Sequence, residues 1–180
     1  MASNHLQRII DTFEASLGQS YSTRLVGGFG EPEYLPATAD NPAEIRFRED
    51  FLSSALHEVA HWCIAGAERR LLHDFGYWYW PEGRNAEQQL AFEQAEVRPQ
   101  ALEWIFSNAC GQAFHLSRDN HDPESTQARF DLAAAVGKEA LLMCDGALPA
   151  PAAIFAEALA LVFDQPQYRN PEYYAEARIR

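Results

Sequence analysis

The sequence predicts an α+β fold that is mostly helical with one small sheet. Two observations support this class: apolar residues recur with the 3.6-residue helical period over most of the chain, and only short runs favour strands. The chain has 180 residues, which suits one domain and allows a core that needs no disulfide or structural metal. We therefore expect a single domain over residues 1–180, with a loosely packed tail from about residue 166.

The N-terminal part should contain one helix and two strands. Residues 3–18 predict a helix that Gly18 ends. Its apolar stripe consists of Ile9, Ile10, Phe13 and Leu17. Residues 22–28 and 43–47 favour short strands. Three prolines between these strands indicate a loop.

The rest of the chain should be helical apart from one aromatic strand. A helix over residues 51–65 should end at Gly66, because glycine readily forms a C-terminal cap. Residues 76–80, Gly-Tyr-Trp-Tyr-Trp, favour a strand. Pro99 lacks an amide hydrogen, so it either kinks the preceding helix or opens the next one. Asp122 is expected to cap a helix that runs to Asp145. The remaining predicted helices cover residues 85–97, 99–109, 150–163 and 170–179.

Charge and cysteine content narrow the classes of function. The formal net charge is −12, which disfavours binding to a phosphate backbone and favours a basic partner or a cationic substrate. The N-terminus lacks the plan of a signal peptide, and no apolar run has membrane-spanning length. The cysteines (Cys63, Cys110 and Cys144) are odd in number and lack metal-binding spacing, which indicates reduced thiols in a cytoplasmic protein. We expect neither nucleic acid nor a membrane as a direct partner.

A metal-binding motif lies in the helix predicted for residues 51–65. His57, Glu58 and His61 form the pattern His-Glu-x-x-His. Side chains four residues apart lie on the same face of a helix, so both imidazoles can approach one ion. In metalloproteases with this helix the histidines hold zinc and the glutamate takes a proton from metal-bound water. The motif therefore predicts a metalloprotease-like helix in which His57 and His61 bind a metal and Glu58 acts in catalysis.

Two histidines leave the predicted metal site incomplete. The extended pattern His-Glu-x-x-His-x-x-Gly-x-x-His is excluded, since this chain has Ile64 and Ala67 where glycine and histidine are needed. The other common completion is a glutamate from a later helix, for which Glu93 and Glu96 are candidates one turn apart. We favour Glu96 because it directly precedes the Val-Arg-Pro break, where the geometry is more constrained. The weaker candidates are His73, His115 and His121, which lie in predicted loops, and Cys63, which faces another direction than His61.

The ligand set leaves the metal open. Two histidines and one carboxylate serve catalytic zinc and also the facial triad of non-haem iron(II) enzymes. The spacing on a helix favours zinc hydrolysis, because the motif is commoner there. A hydrolase would use Glu58 as its general base, whereas an oxygen-activating iron site has no obvious need for it.

The residues around the motif resemble a known family. The stretches "HEVAHWCIAGAERRLLHDFGYWYWPEGR" and "FEQAEVRPQALEW", with "TRLVGG" and "EPEYLPA" nearer the N-terminus, resemble the elongation factor P hydroxylases. The resemblance covers roughly residues 23–104. It implies that His57, His61 and Glu96 hold iron(II) rather than zinc. It also implies that the substrate is elongation factor P whose lysine already carries a β-lysyl extension.

A substrate arm of this kind is long and carries several positive charges. A matching site should offer carboxylates at its rim and an aromatic wall for the methylene groups. The predicted strand could supply the wall, and nearby acidic residues could supply the charge. The residues in question are Tyr77, Trp78, Tyr79 and Trp80 for the wall, and Asp74, Glu82 and Glu93 for the charge.

Three functions are therefore compatible with the sequence. The first is an iron-dependent protein-lysine hydroxylase, and the second is a zinc peptidase that uses His57, His61 and a glutamate. The third is a non-enzymatic module that binds elongation factor P and uses its metal structurally. Metal identity separates the first two, and a metal with a free coordination position separates both from the third.

Overall fold

The computed structural model describes residues 2–76, 85–117 and 131–175. In these ranges helices pack against a three-stranded mixed sheet, so the predicted α+β class is confirmed. The helices are α1 (Ala2–Phe13), α2 (Gln19–Tyr21), α3 (Leu52–Arg69), α4 (Ala86–Ala109), α5 (Leu132–Asp145) and α6 (Ala150–Val162). The strands are β1 (Thr23–Phe29), β2 (Glu33–Leu35) and β3 (Ala43–Arg48). Short 3₁₀ turns cover His73–Gly76 and Pro171–Tyr174.

The N-terminal helix extends further than its sequence predicted. A π-helical turn over Glu14–Gly18 joins α1 to α2, and Ser22 ends the helix with a φ of 48°. Gly18 has the helical dihedrals φ −52° and ψ −52°, so the prediction that it ends the helix is wrong. Glycine permits a left-handed cap but does not require one. The predicted apolar stripe enters the core with Ile9, Phe13 and Leu17 fully buried and Ile10 partly buried.

The sheet lies on one side of the core and has β3 at its centre. β1 pairs with β3 in parallel, and β2 pairs with β3 antiparallel. Ala43, Ile45 and Phe47 are buried, since alternate side chains of a strand point to the same face. The sequence did not predict β2, which lies between two prolines that indicate a loop. A short edge strand tolerates such neighbours because it pairs on one side only.

The motif helix α3 buries its apolar face and ends shortly after the motif. Leu56, Val59 and Cys63 are buried. Gly66 interrupts the helix with φ 78° and ψ 171°, at the position where the sequence predicted the cap. The Arg70 guanidinium donates to the backbone carbonyls of Trp62 and Cys63 at 2.8 and 3.3 Å. These bonds satisfy carbonyls that the interrupted helix leaves without partners.

The long helix α4 packs against α3 and carries the carboxylates of the site. It is continuous over 24 residues with Pro99 inside it, so the alternative in which Pro99 opens a second helix is wrong. Asn85 caps its start: the Asn85 side chain accepts from the backbone N–H of Gln88, whose side chain bonds back to Asn85. Pro99 is buried, and tertiary packing on both sides of it offsets the one lost backbone hydrogen bond.

The C-terminal helices complete the core behind α4. α5 begins at Leu132 with Asp131 as its N-cap, so the prediction of one helix from Asp122 to Asp145 is wrong; Asp122 lies outside the described residues. α6 agrees with its prediction, and of the helix predicted for residues 170–179 only the turn Pro171–Tyr174 is described. Tyr168 and Tyr174, which lie in the predicted tail, are buried. In these ranges no helix by itself has the length and apolarity to cross a membrane, and α5 and α6, bent by 89°, meet that test only as a pair.

Candidate metal centre

Three side chains from α3 and α4 converge on one point. The Nε2 atoms of His57 and His61 lie 3.0 Å apart. The Oε2 atom of Glu96 lies 3.4 Å from Nε2 of His57, and its Oε1 atom lies 3.4 Å from Nε2 of His61. The three ligand atoms all lie within 4.8 Å of one another, and among the described residues no other such group is found. Two imidazole nitrogens and one carboxylate oxygen in this arrangement could hold a divalent metal ion.

A fourth side chain supports this group from behind. The Nδ1 atom of His57 donates a hydrogen bond to Glu103 at 2.9 Å. Histidines that bind metals commonly donate their other ring N–H to a carboxylate, which fixes the ring and the tautomer. Glu103 is buried, so water competes little for this bond. The arrangement leaves the Nε2 atom of His57 free to face Glu96 and His61.

The electrostatics of the cluster follow from burial and from these pairings. Burial disfavours the charged imidazole of His57, but the hydrogen bond and charge of Glu103 outweigh it and raise the pKa of His57 to about 10. Burial also opposes the charge on Glu96, yet the hydrogen bond and charge of His61, with the charge of His57, lower the pKa of Glu96 to about 2. Glu96 is therefore ionised at neutral pH and offers a charged oxygen.

Glu58 stands beside the pair of histidines without joining their hydrogen bonds. Its side chain lines the same cavity but is absent from the group of three possible ligands. Burial raises the pKa of Glu58, and the charges of His57 and His61 oppose that rise. A carboxylate in this place can interact with a group in the cavity next to the metal ligands.

The cluster opens into a cavity of about 630 Å³. Its described lining contains a single guanidinium, that of Arg48, against six carboxylates. These belong to Glu31, Glu33, Glu58, Asp74, Glu96 and Glu103. The cavity therefore favours a cation over an anion, in agreement with the acidity of the whole chain.

Part of the cavity wall is aromatic and held in place by backbone contacts. The rings of Tyr34 and Phe75 stack with centroids 4.4 Å apart and an interplanar angle of 15°. Asp74 accepts a hydrogen bond from the backbone N–H of Tyr34 at 2.7 Å. Asp74 and Phe75 both have positive φ, 46° and 58°, and such strain in non-glycine residues is concentrated at functional sites.

The structure places some of the predicted site residues in the cavity and others away from it. His57, Glu58, His61, Asp74 and Glu96 line it. The described lining does not include Glu93, which accepts a hydrogen bond from Gln89 at 3.2 Å. Residues 77–84, which contain the predicted aromatic wall and Glu82, lie outside the described residues, as does His121.

The weaker ligand candidates are also placed. His73 lies 3.0 Å from Glu33 and 3.4 Å from Asp74, away from the metal ligands. The buried Cys63 is not part of the ligand group. His115 lines the cavity on a segment after α4 and is exposed. His115 can therefore contact a molecule that is bound in the cavity.

Sequence reasoning missed several residues of the site, among them Glu103 and Gln100. Glu103 follows Glu96 by seven residues, two helical turns, so the two carboxylates share a face of α4. That spacing was a usable signal once Glu96 was selected. Gln100 gave no signal of its own, because a glutamine within a helix is ordinarily a solvent-facing residue. Here it is buried and lines the cavity.

Comparisons with known proteins point to one family. Residues 12–173 match the elongation factor P hydroxylase family. A Haemophilus influenzae protein named elongation factor P lysine hydroxylase is 52% identical over 125 residues, which make up 68% of this chain and 70% of that protein. The matched residues include every described residue of the cluster, and the family is the one that the motif-bearing stretches resemble.

Proposed function

This chain belongs to the elongation factor P hydroxylase family, and from that premise we propose that it hydroxylates a lysine side chain of elongation factor P. The observation that carries the proposal is the convergence of His57, His61 and Glu96 in the lining of an acidic cavity. Such a cavity can bring a metal and a substrate side chain together. The name of the Haemophilus influenzae relative supports the same reaction.

The residues of the cluster fit a non-haem metal. Two neutral imidazoles and one carboxylate form the donor set of the facial triad, and the Glu103 carboxylate behind His57 is the kind of support that bound metals require. We propose iron(II) as the metal, held by His57, His61 and Glu96. Iron bound there would supply the redox chemistry with dioxygen that zinc, which has one stable oxidation state, does not provide.

The side chains of the cavity suit a lysine that carries a β-lysyl extension. Glu31 and Glu58 make no hydrogen bond or ion pair with other described residues, so their charge is available to an ammonium group. Tyr34 and Phe75 provide an aromatic surface against which methylene groups can pack. Asp74, Glu93, Tyr77, Trp78 and Trp80 remain predicted substrate contacts. An acceptor that acts in translation also agrees with the predicted cytoplasmic location.

The second candidate function is a zinc peptidase. The position of Glu58 in the cavity, next to both histidines, favours it, because a peptidase needs a carboxylate that can take a proton from water. The two functions share the same ligands and differ in the metal and in the need for dioxygen. Family membership favours the hydroxylase.

The test is an intact-mass assay on β-lysylated elongation factor P. The protein is purified without oxygen, loaded with iron(II) or zinc, and incubated with an added two-electron reductant in the presence or absence of dioxygen. We expect the substrate to gain one oxygen atom only with iron and dioxygen; the second oxygen atom leaves as water with the two electrons and two protons. Unmodified elongation factor P should react more slowly.

Two controls make the result decisive. The His61→Ala variant should give no mass gain under any condition, because it lacks one ligand. Wild-type protein with zinc should also be inactive. Peptide cleavage with zinc and without oxygen would replace the hydroxylase by the peptidase, and tight binding without any reaction under all conditions would indicate a non-enzymatic binding module.

A further inference from the structure

One wall of the cavity is formed by the segment of residues 114–117, which follows α4. His115, Leu116 and Ser117 of this segment line the cavity, while Phe114 points into the core. The segment has no helical or strand hydrogen bonds of its own. Its conformation must therefore be set by contacts with neighbouring elements.

Two contacts with α4 hold the segment, one at each end. The ring of Phe114 stacks on Trp104 with centroids 5.1 Å apart and an interplanar angle of 13°. At the other end, the Gln100 side chain donates to the carbonyl of Ser117 at 3.0 Å and accepts from its N–H at 3.1 Å. The two bonds satisfy both backbone groups of Ser117 in the way a neighbouring strand does.

The same face of α4 carries these contacts and a metal ligand candidate. Glu96, Gln100 and Trp104 follow one another at intervals of four residues, so their side chains lie one above the other on the helix. Gln100 is only 1% exposed, which makes its amide a fixed partner rather than a mobile surface group. A single helix therefore positions both the carboxylate of Glu96 and the segment that lines the same cavity.

We propose that Gln100 is a positioning residue that fixes the 114–117 segment over the cavity, and that His115 on this segment contacts the substrate. This inference rests on the proposed function, because it assigns further residues of the same site. His115 lies between the two held positions, is exposed to the cavity and is not one of the metal ligand candidates. Its backbone is already ordered on both sides, so binding through its ring costs less conformational entropy.

The amide of Gln100 has a chemical role that similar side chains cannot fill. Glutamine donates and accepts at once, glutamate only accepts when ionised, and methionine does neither strongly. We expect Gln100→Met and Gln100→Ala, which lose both hydrogen bonds to Ser117, to weaken substrate binding by about tenfold, which corresponds to about 1.4 kcal/mol.

The experiment measures binding without turnover. Iron-loaded protein under nitrogen is titrated with β-lysylated elongation factor P in a calorimeter, for wild type, Gln100→Met, His115→Ala and the double variant. We expect each single variant to weaken binding about as much as the double variant, because Gln100 acts through the placement of His115 and coupled residues give non-additive effects. The matched control is Gln7→Met on α1, which should leave binding unchanged, because its amide bonds Asp11 and neither residue belongs to the described cavity lining.

The outcomes separate this inference from the proposed function. The inference is overturned if His115→Ala binds the substrate as tightly as the wild type does. It is also overturned if the effects of Gln100→Met and His115→Ala on binding simply add. If Gln100 has a purely structural role, Gln100→Met should lower the unfolding temperature but show no non-additive effect on binding with His115→Ala. If Gln100→Met does not fold, Gln100→Ala in the same cycle gives the result; the iron content of each variant is measured as well, because the Gln100 side chain also hydrogen-bonds Glu96. Failure of the iron-loaded wild type to add oxygen, with the binding pattern intact, would refute the hydroxylase function and leave this inference standing.

Discussion

The ring of His57 lies between two carboxylates of one helix, each of which faces one of its nitrogens. Its Nδ1 atom lies 2.9 Å from Glu103, and its Nε2 atom lies 3.4 Å from Glu96. The two glutamates are separated by two turns of α4, so the imidazole from α3 fits between them. The position of α4 against α3 therefore determines both the orientation and the charge of this histidine.

Replacement of Glu103 tests the support of His57. In Glu103→Gln the neutral amide can still accept a hydrogen bond but no longer carries the charge that makes the imidazole a better ligand. We expect the metal affinity, measured by competition with a chelator, to fall by roughly 10–100-fold. Glu93→Gln on the same helix is the control and should leave the metal affinity unchanged. An affinity in Glu103→Gln equal to that of wild type would show that this hydrogen bond is structural only.

Removal of the ligands themselves tests the metal centre. We expect His57→Ala, His61→Ala and Glu96→Ala each to lose most of the bound metal, because the three atoms converge on one point. Glu93→Ala should retain it, since Glu93 is not among the described residues of the cavity lining. Metal analysis of anaerobically purified variants gives the answer. Metal lost from Glu93→Ala but retained in Glu96→Ala would assign the third ligand to Glu93.

The pairing of His57 with Glu103 predicts a pH dependence of metal uptake. Burial opposes the charged ring, but Glu103 raises the pKa of His57 to about 10 in the metal-free protein. A metal at Nε2 must displace a proton below that pH, so affinity should rise roughly tenfold per pH unit towards pH 10 and level off above it. Chelator competition at several pH values measures this. An affinity that is flat between pH 7 and pH 9 would contradict the raised pKa.

The same pKa predicts the stability of the metal-free protein. The folded-state pKa of His57 exceeds the unfolded value of about 6.5, so its protonation stabilises the fold fully below pH 6.5. This contribution should be lost as the pH rises through about 10. Urea unfolding of the metal-free protein across this range tests the sign. Glu103→Gln, which lacks the main cause of the raised pKa, should show a weaker dependence.

The parts of the site that the sequence could predict depend on local geometry. The spacing of His57 and His61 places both rings on one helical face wherever the helix lies in the fold. The cap at Gly66 and the buried stripe of α3 follow from the same periodicity. Glu96 was selected from two candidates by its distance from Pro99, and the structure brings it to the histidines.

The rest depends on tertiary packing that a single sequence does not specify. Glu103 and Gln100 matter because α4 lies against α3 in one orientation, and their types are ordinary for an exposed helix face. Strand β2 exists because β3 offers it a partner, although prolines on both sides indicate a loop. α4 continues through Pro99 because packing of the surrounding helix offsets one lost hydrogen bond.

The last prediction concerns Glu58, whose role differs between the two candidate functions. Its side chain lines the cavity but does not join the ligand group, so Glu58→Gln should keep full metal occupancy. If the protein is a peptidase, loss of a general base should slow cleavage by about 10²–10⁴-fold on every peptide. In the hydroxylase, the carboxylate offers a negative charge to the substrate ammonium. Glu58→Gln should then raise KM for β-lysylated elongation factor P far more than it lowers kcat. Steady-state kinetics with metal analysis of the same samples separates these outcomes. Loss of metal from Glu58→Gln would refute both roles, because it would make Glu58 a metal ligand.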